Sequence, residues 1–154
     1  RGYAIFYVSG RLKKLREHTI SWLKQYNFAP GMLLVCDHTK ETIPGSENHG
    51  VGKFKKKTLA WIQDGLKPHP GGFHWVAGYG NASTDVAAYK HVGMTGESVF
   101  IMGAKAEKSL ANAMQDAGSS GSCNGPYVAL GVSFSDHVSS LRVALESTLP
   151  STTY

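Results

Sequence analysis

Three short stretches of this chain carry the residue types that handle a phosphoryl group. They are Tyr7-Val8-Ser9-Gly10-Arg11, the basic run Lys53-Phe54-Lys55-Lys56-Lys57, and Gly78-Tyr79-Gly80-Asn81-Ala82-Ser83-Thr84-Asp85-Val86. A hydroxyl, a lysine and a carboxylate thus follow one another in chain order. The first and third stretches each follow an apolar run that reads as a buried strand, and each opens into a helical pattern. Their polar groups therefore belong at strand C-terminal ends, which is where open α/β sheets bind ligands. Each residue also has a plainer role. Ser9 can be a turn residue or a helix N-cap. Arg11 can pair with an acid on the first helix. The lysines can be a solvated helix face, and Asp85 can cap the helix that starts nearby.

The elements that position these residues are read from apolar periodicity. Tyr3–Val8 is a nearly continuous apolar run, as in a strand covered on both faces. Ser9-Gly10-Arg11 is expected to break it, and Leu12–Tyr26 then shows a helical period through Leu12, Leu15, Thr19, Trp22 and Leu23. Met32–Cys36 is the second strand. Asp37–Gly52 is polar and reads as a long surface loop. Lys53–Asp64 is a helix, with Phe54, Leu59 and Ile62 inward and Gly65 as its stop. Lys67–Gly72 is a loop, Phe73–Gly78 the third strand, Ser83–Val92 a helix and Ser98–Met102 the fourth strand. Lys105–Ala117 is a helix, Ser119–Gly125 a flexible linker, Tyr127–Val132 a weak strand and Asp136–Leu149 a final helix. Strands alternating with helices predict a mainly parallel, doubly wound α/β sheet. One domain is expected over residues 1–149, with 150–154 as a tail.

The bulk composition bounds the function. With 154 residues, 42% hydrophobic and 18% charged, the chain suits a globular domain and not a disordered one. No apolar stretch has the length of a membrane span. Net charge of +5 favours anionic partners, whether phosphate, lipid or nucleic acid, but no nucleic-acid-binding motif is present. Cys36 and Cys123 are far apart and give no disulfide framework, which points to a reducing, cytoplasmic setting. Cys36 closes a strand-like run and reads as a buried free thiol. The seven histidines have no zinc-ligand spacing. Trp22, Trp61 and Trp75 read as core or half-buried, with Trp61 the one that could face outward to a bilayer. Arg1 runs at once into a strand without an initiator Met, as in a chain that begins inside a longer one.

Taken together, these motifs resemble the haloacid-dehalogenase superfamily. More narrowly they resemble the lipin-type C-terminal domain found in membrane-associated phosphatidylinositol transfer proteins of the retinal-degeneration-B kind. Tyr7–Arg11 is similar to the second motif of that family, Phe54-Lys55 to the third, and Gly80-Asn81 through Asp85-Val86, with Tyr89 and Val92-Gly93, to the fourth. Ser21–Phe28 followed by Pro30-Gly31-Met32 resembles the transfer-protein branch. The likeness covers about Tyr3 to Met102 and weakens towards Leu145. It implies that Ser9, Gly10 and Arg11 meet a phosphate, that Lys55 holds it as a point charge, and that Asp85, helped by Asn81, ligates Mg²⁺.

The same resemblance exposes a gap. Active members carry a nucleophilic Asp, with a second Asp two residues on, at the end of a central first strand, and no Asp-x-Asp occurs in this chain. A sheet without that strand has two unpaired edges, which is a liability. A preceding segment or a partner chain would supply it, or the sheet would be rearranged. The chain alone is therefore not expected to catalyse phosphoryl transfer. The reading that results is a catalytically silent domain that recognises phosphatidate or a related headgroup, peripheral on membranes. The alternatives are a Mg²⁺-dependent phosphatidate phosphatase whose nucleophile lies upstream, and a degenerate domain serving as a scaffold subunit.

Overall fold

The computed structural model describes residues 3–37, 50–69, 71–94, 98–103, 106, 108 and 128–130. Strand β1 (Phe6–Leu12) leads through a single 3-10 turn (Lys13–Leu15) into helix α1 (Arg16–Gln25) and back to strand β2 (Met32–Cys36). Helix α2 (Gly50–Leu66), strand β3 (Gly78–Gly80), helix α3 (Ser83–His91) and strands β4 (Val99–Met102) and β5 (Val128–Leu130) follow. Every pairing is parallel, as expected where crossover segments separate consecutive strands. The described fold is thus mixed α/β with short parallel strands.

The strands fall into two sheets, β1-β2 and β3-β4-β5, and β1 is not hydrogen-bonded to β3. Both rest on α2. Leu59 and Ile62 of α2 pack with Val86, Ala88 and Val92 of α3 and its exit, with Met94, and with Val99 and Ile101 of β4. Phe6 and Val8 of β1 and Leu34 of β2 border the same cluster. Burying each aliphatic side chain removes apolar surface from water and is worth about 1.5–3 kcal/mol, so α2 ties the two sheets to one core. Trp75 adds a fixed seam. Its ring meets Phe6 edge-on at 6.4 Å and its Nε1–H donates to Gln63 Oε1 of α2 at 2.7 Å.

Several boundaries differ from expectation for identifiable reasons. Ser9-Gly10-Arg11 does not end β1. The strand continues to Leu12 and absorbs Gly10 and Arg11 as an irregularity between the Ser9↔Val35 and Leu12↔Cys36 pairs. Helix α1 consequently starts at Arg16, not at Leu12. Phe73–Ala77 stays outside the ladder, and only Gly78–Gly80 pairs. Its apolar character comes from Phe73 and Trp75, which pack on each other edge-on at 4.9 Å and on the core. Helix α2 begins at Gly50, inside the expected loop, and runs past Gly65 to Leu66. Gly65 is not its stop, since an exposed helix tolerates one glycine at about 1 kcal/mol. Trp22 is 43% exposed and is not a core residue. Cys36 is fully buried and free, as expected. The expected helices Lys105–Ala117 and Asp136–Leu149, the linker Ser119–Gly125, the tail and most of the loop Asp37–Gly52 lie outside the described residues.

The end of α1 shows how local sequence sets local geometry. Asn27 takes a left-handed conformation at φ 54°, which Asn tolerates better than other side-chain-bearing residues. Its N–H reaches Lys24 O at 3.1 Å, and Phe28 N–H reaches Leu23 O at 2.9 Å. These are the two bonds of a Schellman stop, and they place Phe28 beside Leu23. Tyr7 Oη–H then donates to Ala29 O at 2.6 Å, fixing the turn to β1.

Candidate functional site

The third motif and the basic run meet. Asp85 lies in the first turn of α3 and is buried, 7% exposed. The residue ahead of the helix is Ala82, which has no oxygen to cap with. Asp85 reaches back instead, and its Oδ2 accepts the N–H groups of Asn81 and Ala82, each at 3.1 Å. The Ala82 N–H is among those that a helix N-terminus leaves unpaired, and the positive end of α3 favours a carboxylate there. Lys55, half-buried on the inner side of α2, donates through Nζ to Asp85 Oδ1 at 2.5 Å. The two side chains are only 13% and 10% exposed, so this pair is shielded from water and from salt.

Gly80 makes the approach possible. A Cβ at that position would stand 2.6 Å from Asp85 Cγ and clash with its Cβ as well. Behind the carboxylate, Tyr89 Oη–H donates to Tyr79 O at 2.5 Å, clamping α3 onto β3. Burial, and then the Asp85 charge, push the Tyr89 hydroxyl far above its ordinary value, so it stays a neutral donor.

The first motif adjoins this pair without bonding to it. Gly10 faces Val51 in the first turn of α2, and a Cβ on Gly10 would stand 2.8 Å from Val51 Cγ1. Val51 precedes Lys55 by four residues and so shares its helix face. The C-terminal end of β1 thus sits against the same face of α2 that carries Lys55. Ser9 Oγ accepts Arg11 N–H at 3.3 Å, closing the irregularity in β1. Arg11 is exposed, and its Nη1 donates to Thr19 Oγ1 at 3.4 Å. Its partner on the first helix is therefore a hydroxyl and not an acid.

Helix phase divides the basic run. Lys55 shares the inward face with Gly52, Leu59 and Ile62, whereas Lys53 and Lys57 are exposed on the opposite face. The family resemblance picks Lys55 among the four lysines, and Lys55 is the one whose ammonium reaches Asp85. The motif includes Gly80 and Tyr89, but their roles as supports for Asp85 and for the seating of α3 on β3 are not read from sequence. The Gly-x-Gly spacing of Gly78 and Gly80 was the available signal, because glycine marks a close backbone approach.

As arranged, Asp85 has one oxygen on Lys55 and the other on two N–H groups. Among the described residues no group of three or more His, Cys, Asp or Glu could hold a metal ion. The described side chains therefore do not complete a cation site. A divalent ion at Asp85 would have to take most of its oxygens from elsewhere.

Residues 1–103 match the family described as the LNS2 domain of PITM 1-3. The chain is 31% identical over 112 residues to protein retinal degeneration B of Drosophila melanogaster, covering 73% of the chain and 8% of that protein. It is 29% identical over 107 residues to human membrane-associated phosphatidylinositol transfer protein 1, covering 70% of the chain and 8% of that protein. With the human transfer protein 2 it shares 28% over 107 residues, covering 70% of the chain and 7% of the relative. The chain thus spans less than a tenth of the length of these relatives. Ser9–Arg11, Lys55 and Asn81–Asp85 all fall inside the matched segment, and this chain belongs to the LNS2 family of PITM 1-3.

Proposed function

We propose that this domain recognises the phosphomonoester headgroup of phosphatidate or a related phospholipid, and that it does so without turning it over. The observation that carries the reading is the shielded Lys55–Asp85 pair at the head of α3, next to the end of β1. A phosphomonoester carries about −1.5 to −2 charges at neutral pH. Lys55 would share its ammonium with the phosphate, Ser9 and the Gly10–Arg11 backbone would hydrogen-bond its oxygens, and Arg11 would add a second cation from the rim. A neutral ion pair alone attracts a dianion weakly. That is the argument for Mg²⁺ at Asp85, with Asn81 beside it and the remaining oxygens coming from phosphate and water, as Mg²⁺ commonly binds.

The names of the relatives, phosphatidylinositol transfer proteins that are membrane-associated, support a phospholipid partner and a peripheral place on membranes. No helix among the described residues is long and apolar enough to cross a membrane. The parallel strands fit a haloacid-dehalogenase-like, doubly wound sheet interrupted between β1 and β3, where a strand from a preceding segment or a partner chain would insert. That strand would carry any nucleophile. If it brings Asp-x-Asp, the competing reading of a Mg²⁺-dependent phosphatidate phosphatase takes over. If it binds only protein, the scaffold reading does.

Flotation with vesicles containing phosphatidate or an equal charge of phosphatidylserine tests the proposal. Preference for phosphatidate, increased by Mg²⁺ and lost in Ser9→Ala with Lys55→Met while the far-UV spectrum is kept, is the expected result. Equal binding to both lipids would overturn it.

A further inference from the structure

We propose that the outward face of α2, through Lys53, Lys57 and Trp61, is the surface that lies on an anionic bilayer. These residues are spaced four apart, so they form one stripe on the helix, roughly 12 Å long at 1.5 Å per residue. All three are exposed, Trp61 at 65%. No ion pair among the described residues engages Lys53 or Lys57. The one acid near the end of the stripe, Asp64, is neutralised by Lys67 at 3.0 Å. Two uncommitted cations followed by an indole match a membrane surface. The ammonium groups meet anionic headgroups, and the ring sits at the level where apolar and wet layers meet.

Position on the fold supports the same partner. Helix α2 begins beside the C-terminal end of β1 and carries Lys55 on its inner side. Its outer face lies one helix diameter, roughly 10 Å, from the inner side that carries Lys55, so a bilayer on that face would hold headgroups near the α2 side of the candidate site. A second exposed aromatic set, Trp22, Tyr26 and Phe28 with Met32, lies by the N-terminal ends of β1 and β2, where Phe28 meets Tyr7 and Met32 N–H reaches Ile5 O. A bilayer held there would face away from Ser9 and Asp85. The choice of a membrane as partner rests on the headgroup reading, but the surface can be tested apart from it.

The test is partition of the whole chain onto phosphatidylcholine vesicles doped with phosphatidylserine and lacking phosphatidate. Replacing Lys53 and Lys57 together by Ala should weaken partition roughly 25-fold, at about fivefold per lysine, and flatten its salt dependence. Trp61→Ala should weaken it about tenfold with the salt dependence retained. Trp22→Ala should change neither. Wild-type binding by the α2 variants, or loss in Trp22→Ala in place of Trp61→Ala, would overturn the proposal. So would strong binding to an acidic polymer such as heparin with none to vesicles. If phosphatidate shows no advantage over phosphatidylserine while the α2 variants still lose binding, the headgroup site fails and the docking face stands.

Discussion

Separating Lys55 from Asp85 by a double-mutant cycle measures the centre of the candidate site directly. At 2.5 Å between Nζ and Oδ1, the attraction is about 7 kcal/mol at an effective dielectric of about 20. Most of that is offset by desolvation, because both side chains are almost wholly buried. The net worth is therefore small, while the cost of removing one partner is large. Lys55→Met keeps the aliphatic stem and strands the carboxylate, at a cost of about 3–5 kcal/mol. Asp85→Asn keeps an oxygen for the Asn81 and Ala82 N–H groups but strands the ammonium, at a comparable cost. The double variant leaves neither charge and should recover about 2–4 kcal/mol of the summed loss. Urea unfolding with an unchanged m-value reads all four corners. Additivity within about 0.5 kcal/mol would mean that the two groups do not interact, and the candidate site would lose its centre.

Substitutions at three further positions probe the structure around it. Gly80→Ala places a methyl group against Asp85 and should displace its carboxylate from two N–H donors. Each charge-assisted bond is worth about 1.5–3 kcal/mol, so a loss near 3 kcal/mol and faster hydrogen exchange at Asn81 and Ala82 are expected; wild-type exchange would refute the clash. Asn27→Gly should hold or slightly raise stability, whereas Asn27→Val should lower it by about 1–2 kcal/mol, since φ 54° is costly for a branched residue; equal melting of the two variants would count against the left-handed stop. Tyr89 ionises above its ordinary value of 10.0 when folded, so its contribution is complete below that pH and fades as pH rises beyond it. Tyr89→Phe, though less stable at neutral pH, should lose stability less steeply above pH 10 than the wild type; parallel alkaline profiles would refute the assignment.

Much of the architecture was legible because it follows from short-range pattern. The apolar runs Met32–Cys36 and Val99–Met102 became strands, and Ser83–His91 became a helix with Asp85 in its first turn. What failed were the ends of elements, where tertiary contacts decide. Ser9-Gly10-Arg11 looks like punctuation, yet Gly10 lies within the strand where Val51 of α2 leaves no room for a Cβ, a contact 41 residues distant in sequence that no local pattern reveals. Phe73–Ala77 looks like a strand because its aromatics are apolar, but apolarity records burial and not ladder pairing. Whether such a run is paired depends on which strand lies beside it, and that information is not local.

The basic run shows the same division at the level of function. Four lysines in five residues read as one solvated face or one anion site, and composition cannot choose between them. Helix geometry makes them different residues. A step of about 100° per residue turns Lys55 inward to a buried carboxylate while Lys53 and Lys57 face water. On the proposed reading, specificity and bulk attraction fall on opposite sides of one helix. Salt should weaken the attraction of Lys53 and Lys57 and leave the Lys55–Asp85 pair nearly untouched, because only the former are exposed to the ionic atmosphere. A headgroup preference that outlasts the loss of general membrane binding at high salt would show that one helix performs two separable tasks, and a preference that collapses together with it would show that the inner lysine adds nothing of its own.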